Sequence, residues 1–212
     1  RMAKRLYLQF SAGRSQKERL RTLIVGAGDA GEQLVRSLAT GKEKFLPVVF
    51  VDDNPIKKGV LIHGIQVAGR IEEIPSVVAK YQIEEIIIAI ENGWESGQGR
   101  PFYEHYLDHK GARYIESGGQ NTGLSDLVEN HVEPEKEVLK RLTIDILDMD
   151  ITIDDDMAWA ITTVNVSGEV RKTGSTFDKK GYQTYLFKRT SKGWKVIHSH
   201  SSTRDKKPHK HH

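Results

Sequence analysis

The hydrophobic pattern changes period partway along the chain. Up to about residue 92, short apolar runs (Leu23-Ile24-Val25, Val48 to Val51, Ile65-Gln66-Val67, and Glu85 to Ile90) alternate with stretches of helical spacing. Glu32 to Leu38, with Leu34, Val35 and Leu38 on one side, and Ile74 to Tyr81 are the helical stretches. That rhythm predicts βαβ units and a parallel sheet, whose strands are apolar on both faces. Glu91 to Pro101 is rich in glycine and polar residues and reads as a linker. Phe102 to His109 and Ser125 to Arg141, the latter interrupted by Pro134, read as helices, and Ala112 to Ser117 as a short strand. Four long alternating segments follow: Leu142 to Ile153, Met157 to Val170, Thr176 to Thr190 and Trp194 to Ser202. Asp154-Asp155-Asp156 and Ser191-Lys192-Gly193 supply hairpin turns between them.

The predicted fold is therefore a truncated α/β Rossmann-like parallel sheet followed by an α+β curved antiparallel sheet. Its expected divisions are a basic arm 1–21, a nucleotide-binding domain 22–92, a linker 93–101, an α+β domain 102–204 and a basic His-rich tail 205–212. A length of 212 residues accommodates two such small domains.

Composition removes several chemistries. Without cysteine there are no disulfides, thiolate nucleophiles or Cys-type zinc sites. A formal net charge of +3 does not predict nucleic-acid binding, and much of the positive charge lies in the two terminal segments. No apolar run reaches the ~18 residues that span a bilayer, so no membrane span and a cytoplasmic location are expected.

The run Leu23-Ile24-Val25-Gly26-Ala27-Gly28-Asp29-Ala30-Gly31 places Gly-x-Gly-x-x-Gly between a strand and a helix. Asp52 and Asp53 follow the second strand. In a dinucleotide-binding unit Gly26 allows the tight turn, Gly28 the approach of a pyrophosphate, and Gly31 the packing of helix on strand. Free amides of the helix N-terminus then face the phosphate, and an acid binds the ribose. NAD(H) or another nucleotide is the cofactor this predicts. The alternative is a glycine turn kept for packing, with Asp52-Asp53-Asn54-Pro55 acting as a turn; Asp29 inside the loop would repel a phosphate.

With Phe50-Val51-Asp52-Asp53-Asn54-Pro55, Ile62-His63-Gly64-Ile65-Gln66-Val67-Ala68-Gly69 and Glu84 to Ile90, residues 5–92 resemble a known family. It is the N-terminal Rossmann-like domain of bacterial polysaccharide-biosynthesis nucleotide-sugar epimerases and dehydratases. The resemblance implies a nucleotide or nucleotide-sugar ligand and makes residues 1–21 a juxtamembrane stretch. That family's catalytic domain does not follow here, so its chemistry is not expected.

Tyr114-Ile115-Glu116-Ser117-Gly118-Gly119, Asp156-Met157-Ala158-Trp159-Ala160 and Phe187 to Ser202 carry a second resemblance over residues 100–205. These motifs resemble the SnoaL-like branch of the nuclear transport factor 2-like (cystatin-like) superfamily, a fold that hosts isomerases, dehydratases and binding modules. The resemblance also implies a long helix closing the sheet, here shortened to Phe102 to His109. Strand alternation predicts Trp194, Val196, His198 and His200 on one face, because no glycine or proline after Gly193 forces a bulge. Glu116, His131, His198 and His200 are then the candidate catalytic group, able to transfer protons near neutrality. They have metal-ligand chemistry but no diagnostic spacing, and no metal is expected. Alternatively they bond within the sheet or face a homodimer partner across it. The two halves together read as a fusion of unlike domains, either natural or engineered, whose role is nucleotide binding, small-molecule catalysis or structural dimerisation.

Overall fold

The computed structural model describes residues 19–39 and 44–206. The expectations for the arm before residue 19 and the tail beyond residue 206 lie outside the described residues. Two compact units divide between Ala79 and Lys80.

The first unit contains a four-stranded sheet in the order β1 (Leu20–Val25), β2 (Phe45–Val51), β4 (Ile65–Gly69), β3 (Leu61–Ile62). β1, β2 and β4 run parallel, while β3 pairs antiparallel with β4 through a tight turn at His63-Gly64. The sheet is thus mixed, with parallel strands where the sequence predicts them. Helix α1 (Asp29–Ala39) packs Val35 and Leu38 with Ile24, Ala27, Phe50, Ile65 and Val67 in one apolar core. Gly31 is required there, since a Cβ would lie 1.9 Å from the Gly26 carbonyl oxygen.

The fourth strand expected at Glu85 to Ile90 does not form. Those residues belong to helix α2 (Ile74–Ser96), which begins in the first unit and lies mostly in the second. Ala79, Ile83, Ile86, Ile87 and Ile90 are buried at helical spacing. A short apolar run satisfies either period, and nothing between Pro75 and Gly93 stops the helix once it has begun. The expected linker is correspondingly displaced: Gly93 to Ser96 complete the helix. Gly93 is glycine because its Cβ would come within 2.8 Å of the Phe102 ring. The helix closes in a Schellman cap, with Gly97 at φ +60°, its N–H donating to Trp94 and that of Gln98 to Gly93. A long helix therefore precedes the second unit's sheet in the chain, built from residues expected to be helix (Ile74 to Tyr81), strand (Glu85 to Ile90) and linker (Glu91 onward).

The second unit's sheet has the order β6 (Gly119–Thr122), β5 (Arg113–Glu116), β10 (Gly193–Asp205), β9 (Thr176–Thr190), β8 (Met157–Val170), β7 (Leu139–Asp154). All pairs are antiparallel except β5 with β10. Short helix α3 (Arg100–His105) precedes β5. Helix α4 (Leu124–Leu127) continues through a π-helical turn (Val128–Val132) into α5 (Glu133–Val138). Leu124, Leu127, Val128 and Val132 are its buried side.

The predicted face of β10 is broken by a bulge. Val196 pairs with Phe187 but His198 pairs with Leu186, so Ile197 is the extra residue. Beyond it Ser199 and Ser201 oppose Tyr185 and Gln183, on the face of Phe187, while His198 and His200 oppose Leu186 and Thr184 on the other. The bulge forms with no glycine or proline between Trp194 and Ser202. The outward face also carries the exposed Trp159 and Ile161 of β8.

Candidate functional site

A cavity of about 180 Å³ opens in the second unit. Trp94 of α2, Tyr106 after α3, Glu116 of β5, Asn121 of β6, His131 of the π turn and Glu135 of α5 border it, with Gln183, Tyr185, Ser199 and Ser201 from β9 and β10. Its wall is mixed: aliphatic side chains Leu142, Ile144 and Val166 face a belt of hydroxyl, carboxyl and imidazole groups.

Glu116 and His131 meet here. The imidazole Nε2 stands 3.4 Å from Glu116 Oε2, and Nδ1 is 2.9 Å from the Asn121 side-chain oxygen. Because an amide oxygen only accepts, Nδ1 carries the proton, which leaves Nε2 facing the carboxylate. Asn121 is opposite Tyr114 on the β5–β6 hairpin, two residues before Glu116, so one short hairpin sets both partners of the histidine. Trp94 fixes the ring from another side, its centroid 5.0 Å away in an edge-to-face arrangement. A π turn widens the helix at His131, the kind of local irregularity that re-aims a side chain. With side-chain exposures of 34% for His131 and 43% for Glu116, both remain accessible to a ligand.

Other ionisable groups are shifted by the same surroundings. Burial first, and then the Glu116 charge, pushes the Glu135 carboxyl up to about 7. Glu91, on α2, is fully buried, which pushes its carboxyl up to about 7 despite the hydroxyl of Tyr185 donating to Oε1 at 2.5 Å. Tyr114 is pushed up to about 12, mainly by burial. Tyr106, its hydroxyl 3.3 Å from Ser199 Oγ, is raised further for the same reason.

The four expected catalytic residues thus separate. Glu116 and His131 come together. His198 bonds the Arg113 carbonyl through Nδ1 at 2.7 Å and lies on the opposite face of the sheet, because of the bulge at Ile197. His200 borders the cavity, but its register places its side chain with Thr184. Trp94, Asn121, Glu135 and Glu91 are contributors that the sequence reading omits. Asn121 and Glu135 lack a distinguishing pattern, and Trp94 and Glu91 are hidden by the reading of their helix as linker and strand.

In the first unit, Gly26 adopts φ +92° and the position of a Gly28 Cβ is open, with Lys57 Nζ 4.0 Å away. Asp52 Oδ2 accepts the Ala27 N–H at 2.7 Å and bonds Lys57 Nζ at 3.0 Å, while Oδ1 accepts the Asn54 N–H at 2.9 Å. These hydrogen bonds, led by Asn54 and Ala27, hold the carboxyl at about 2. Asp53 accepts the Ile71 N–H at 3.0 Å. Both acids are thereby engaged by the chain's own amides.

Among the described residues no helix is long and apolar enough to cross a membrane. The N-terminal region is similar to two polysaccharide-biosynthesis proteins. The capsular polysaccharide biosynthesis protein CapD of Staphylococcus aureus is 40% identical over 75 residues, 34% of this chain and 12% of that one. The probable polysaccharide biosynthesis protein EpsC of Bacillus subtilis is 44% identical over 71 residues, 33% of this chain and 12% of that one. The chain therefore spans about 12% of the length of these relatives. Solved structures share the fold of the C-terminal part. A nuclear transport factor 2-like superfamily protein from Salmonella enterica superposes with TM-score 0.58 at 17% identity, covering 65% of this chain and 99% of that one. A hexachlorocyclohexane dehydrochlorinase of LinA type 3 from Novosphingobium barchaimii gives TM-score 0.55 at 14% identity, with coverages of 66% and 97%. The family model of the SnoaL-like domain matches residues 99–205. That match takes in just over half of the sequence, and the chain belongs to the SnoaL-like domain family.

Proposed function

We propose that the second unit binds a small organic molecule in its cavity and moves a proton on it, as an isomerase or dehydratase does. The observation that carries this reading is the Glu116–His131 pair, 3.4 Å apart at a cavity wall with the far nitrogen of the ring held by Asn121. Such a pair takes a proton from carbon beside a carbonyl and returns it elsewhere. Glu135, whose carboxyl is pushed up to about 7 mainly by burial and so is protonated in part near neutrality, supplies a second acid able to protonate a leaving hydroxyl. Hydrogen–deuterium exchange at the α-carbon of small cyclic ketones and enones, followed by proton NMR in D2O, tests the reading. The full chain accelerates exchange for at least one of them, and His131→Ala removes the acceleration. Exchange at the buffer rate for every compound contradicts it.

A second reading concerns the first unit, for which we propose nucleotide or nucleotide-sugar binding at Gly26, Gly28 and Gly31. The open face of Gly28, the nearby Lys57 cation and the similarity to polysaccharide-biosynthesis proteins support it. Asp52 weakens it, since a phosphate must share the Ala27 amide with a carboxylate already bonded there. Calorimetric titration with NAD, NADP and UDP-sugars tests the reading, with Gly28→Val expected to abolish the heat. No heat from any of them in the parent chain removes it. If Asp52 or Asp53 is the ribose ligand, NAD binds better than NADP, whose 2′-phosphate the carboxylate repels; the opposite preference moves that role elsewhere.

A further inference from the structure

Glu91 is the group that the proposed proton transfer does not use. It is 4% exposed, its Oε1 accepts the Tyr185 hydroxyl, and its Oε2 has no hydrogen-bond partner among the described residues. Glu91 does not itself border the cavity, whereas Tyr185 and Gln183, which both interact with it, do. Gln183 has its side-chain oxygen occupied by the Thr162 hydroxyl at 2.7 Å, which turns its amide nitrogen toward Glu91. The groups facing this carboxyl are Tyr185 and Gln183 from β9, Tyr106 beyond α3, Glu116 from β5 and Glu95 from its own helix. None of them is a cation. An ionised carboxylate with an unsatisfied oxygen is costly in such a place, whereas a neutral acid carries a proton it can donate.

We propose that Glu91 is a positioning residue which acts through Tyr185, deciding whether the Tyr185 hydroxyl is offered to an oxygen of the ligand. When Glu91 is protonated, its O–H donates to the Tyr185 oxygen, and the tyrosine proton is free to point into the cavity. When Glu91 is ionised, Tyr185 donates to the carboxylate and the cavity loses that donor. The ligand class this fits is a small carbonyl compound whose oxygen gains negative charge as an adjacent proton is removed by Glu116 and His131. A preorganised donor at that oxygen stabilises the charged form. Burial, which pushes the Glu91 carboxyl up to about 7, sets the exchange between the two arrangements close to neutrality.

This inference rests on the reading of the cavity as a small-molecule site, and the test separates the two. The probe is 4-fluorophenol, a neutral mimic of an enol, whose binding to the full chain is read by fluorine NMR between about pH 6 and pH 8. Its size suits the site, since an apolar cavity of roughly 150 Å³ accepts benzene. Wild-type affinity falls about five- to tenfold across that range, the worth of one hydrogen bond. Glu91→Gln, whose amide donates to Tyr185 at every pH, keeps the low-pH affinity throughout. Tyr185→Phe binds weakly and without pH dependence. The proposal is overturned if Glu91→Gln preserves the wild-type fall, or if Tyr185→Phe binds as tightly as wild type at pH 6. Binding with no fall in any form overturns it while leaving the cavity reading intact. No binding by the wild type at any pH overturns both.

Discussion

At the scale of residues, the account rests on a few hydrogen bonds that make ordinary side chains into a site. Asn121 is the clearest case, because its oxygen fixes which imidazole nitrogen of His131 faces Glu116. Asn121→Leu therefore leaves the imidazole free to turn, and catalysed exchange is expected to slow about tenfold or more while the fold, followed by circular dichroism, persists. Retention of the full rate in that variant removes Asn121 from the mechanism. Glu91 makes a separate prediction about stability. Its folded value near 7 lies above the unfolded 4.5, so the folded state binds the extra proton between these values. Stability from this group is full below about pH 4.5 and is lost as pH rises through 7, by roughly 3 kcal/mol for a gap of this size. Glu91→Gln should flatten that part of the curve in urea titrations at pH 5 and pH 8. An unchanged slope would show that the buried carboxyl does not control it. Glu116 and His131 were legible in the sequence as a glutamate and a histidine in suitable positions. Asn121 and Glu91 were not, since a hydrogen bond across 10 residues or across 94 leaves no local pattern.

At the scale of elements, two short segments separate expectation from structure. Glu85 to Ile90 is apolar enough for a parallel strand, and after three strands and two helical stretches that reading is natural. Burial at Ile83, Ile87 and Ile90 instead fits the helix, and the Schellman cap at Gly97 ends it. Tertiary packing decided between two periods that six residues alone do not distinguish. Ile87→Pro tests the assignment. It removes a helical hydrogen bond, and the ring meets the preceding turn, at a cost of about 3 kcal/mol or more in addition to the lost packing. Cooperative unfolding monitored by circular dichroism should shift accordingly; a midpoint unchanged from wild type contradicts a helix there. The bulge at Ile197 is the second case. One extra residue reverses every side chain beyond it, which moved His198 away from the site and brought Ser199 and Ser201 toward it. The long strands themselves, and the helix broken near Pro134, were readable because alternation and turn residues persist over many positions.

At the scale of the whole molecule, two compact units divide between Ala79 and Lys80, within the residues that begin α2, whereas the change of period along the sequence comes later, at about residue 92. Carboxyls shifted in both directions respond to pH at opposite ends of the range. Asp52 in the first has its carboxyl held at about 2 by the Asn54 and Ala27 amides and by Lys57. Its contribution is present above the unfolded value of 3.8 and is lost as pH falls toward 2. Glu91 and Glu135 in the second have raised values, so their contributions are lost in the opposite direction, as pH rises through about 7. All three tryptophans, Trp94, Trp159 and Trp194, lie in the second unit, so their fluorescence reports that unit alone. Amide exchange resolved by mass spectrometry reports both. Protection of the first unit should weaken between pH 4 and pH 2.5, and should weaken less in Asp52→Asn; an Asp52→Asn chain whose first unit loses protection as the wild type does would contradict the assignment of this acid sensitivity to Asp52.

The central claim is that Glu116 and His131 work as one unit on a ligand in the cavity. A double-mutant cycle on the catalysed deuterium-exchange rate measures this directly, using Glu116→Gln, His131→Ala and both together. The account predicts that each single variant loses nearly all of the acceleration and that the double variant loses no more than either. Losses that multiply, or an acceleration untouched by both substitutions, would contradict it.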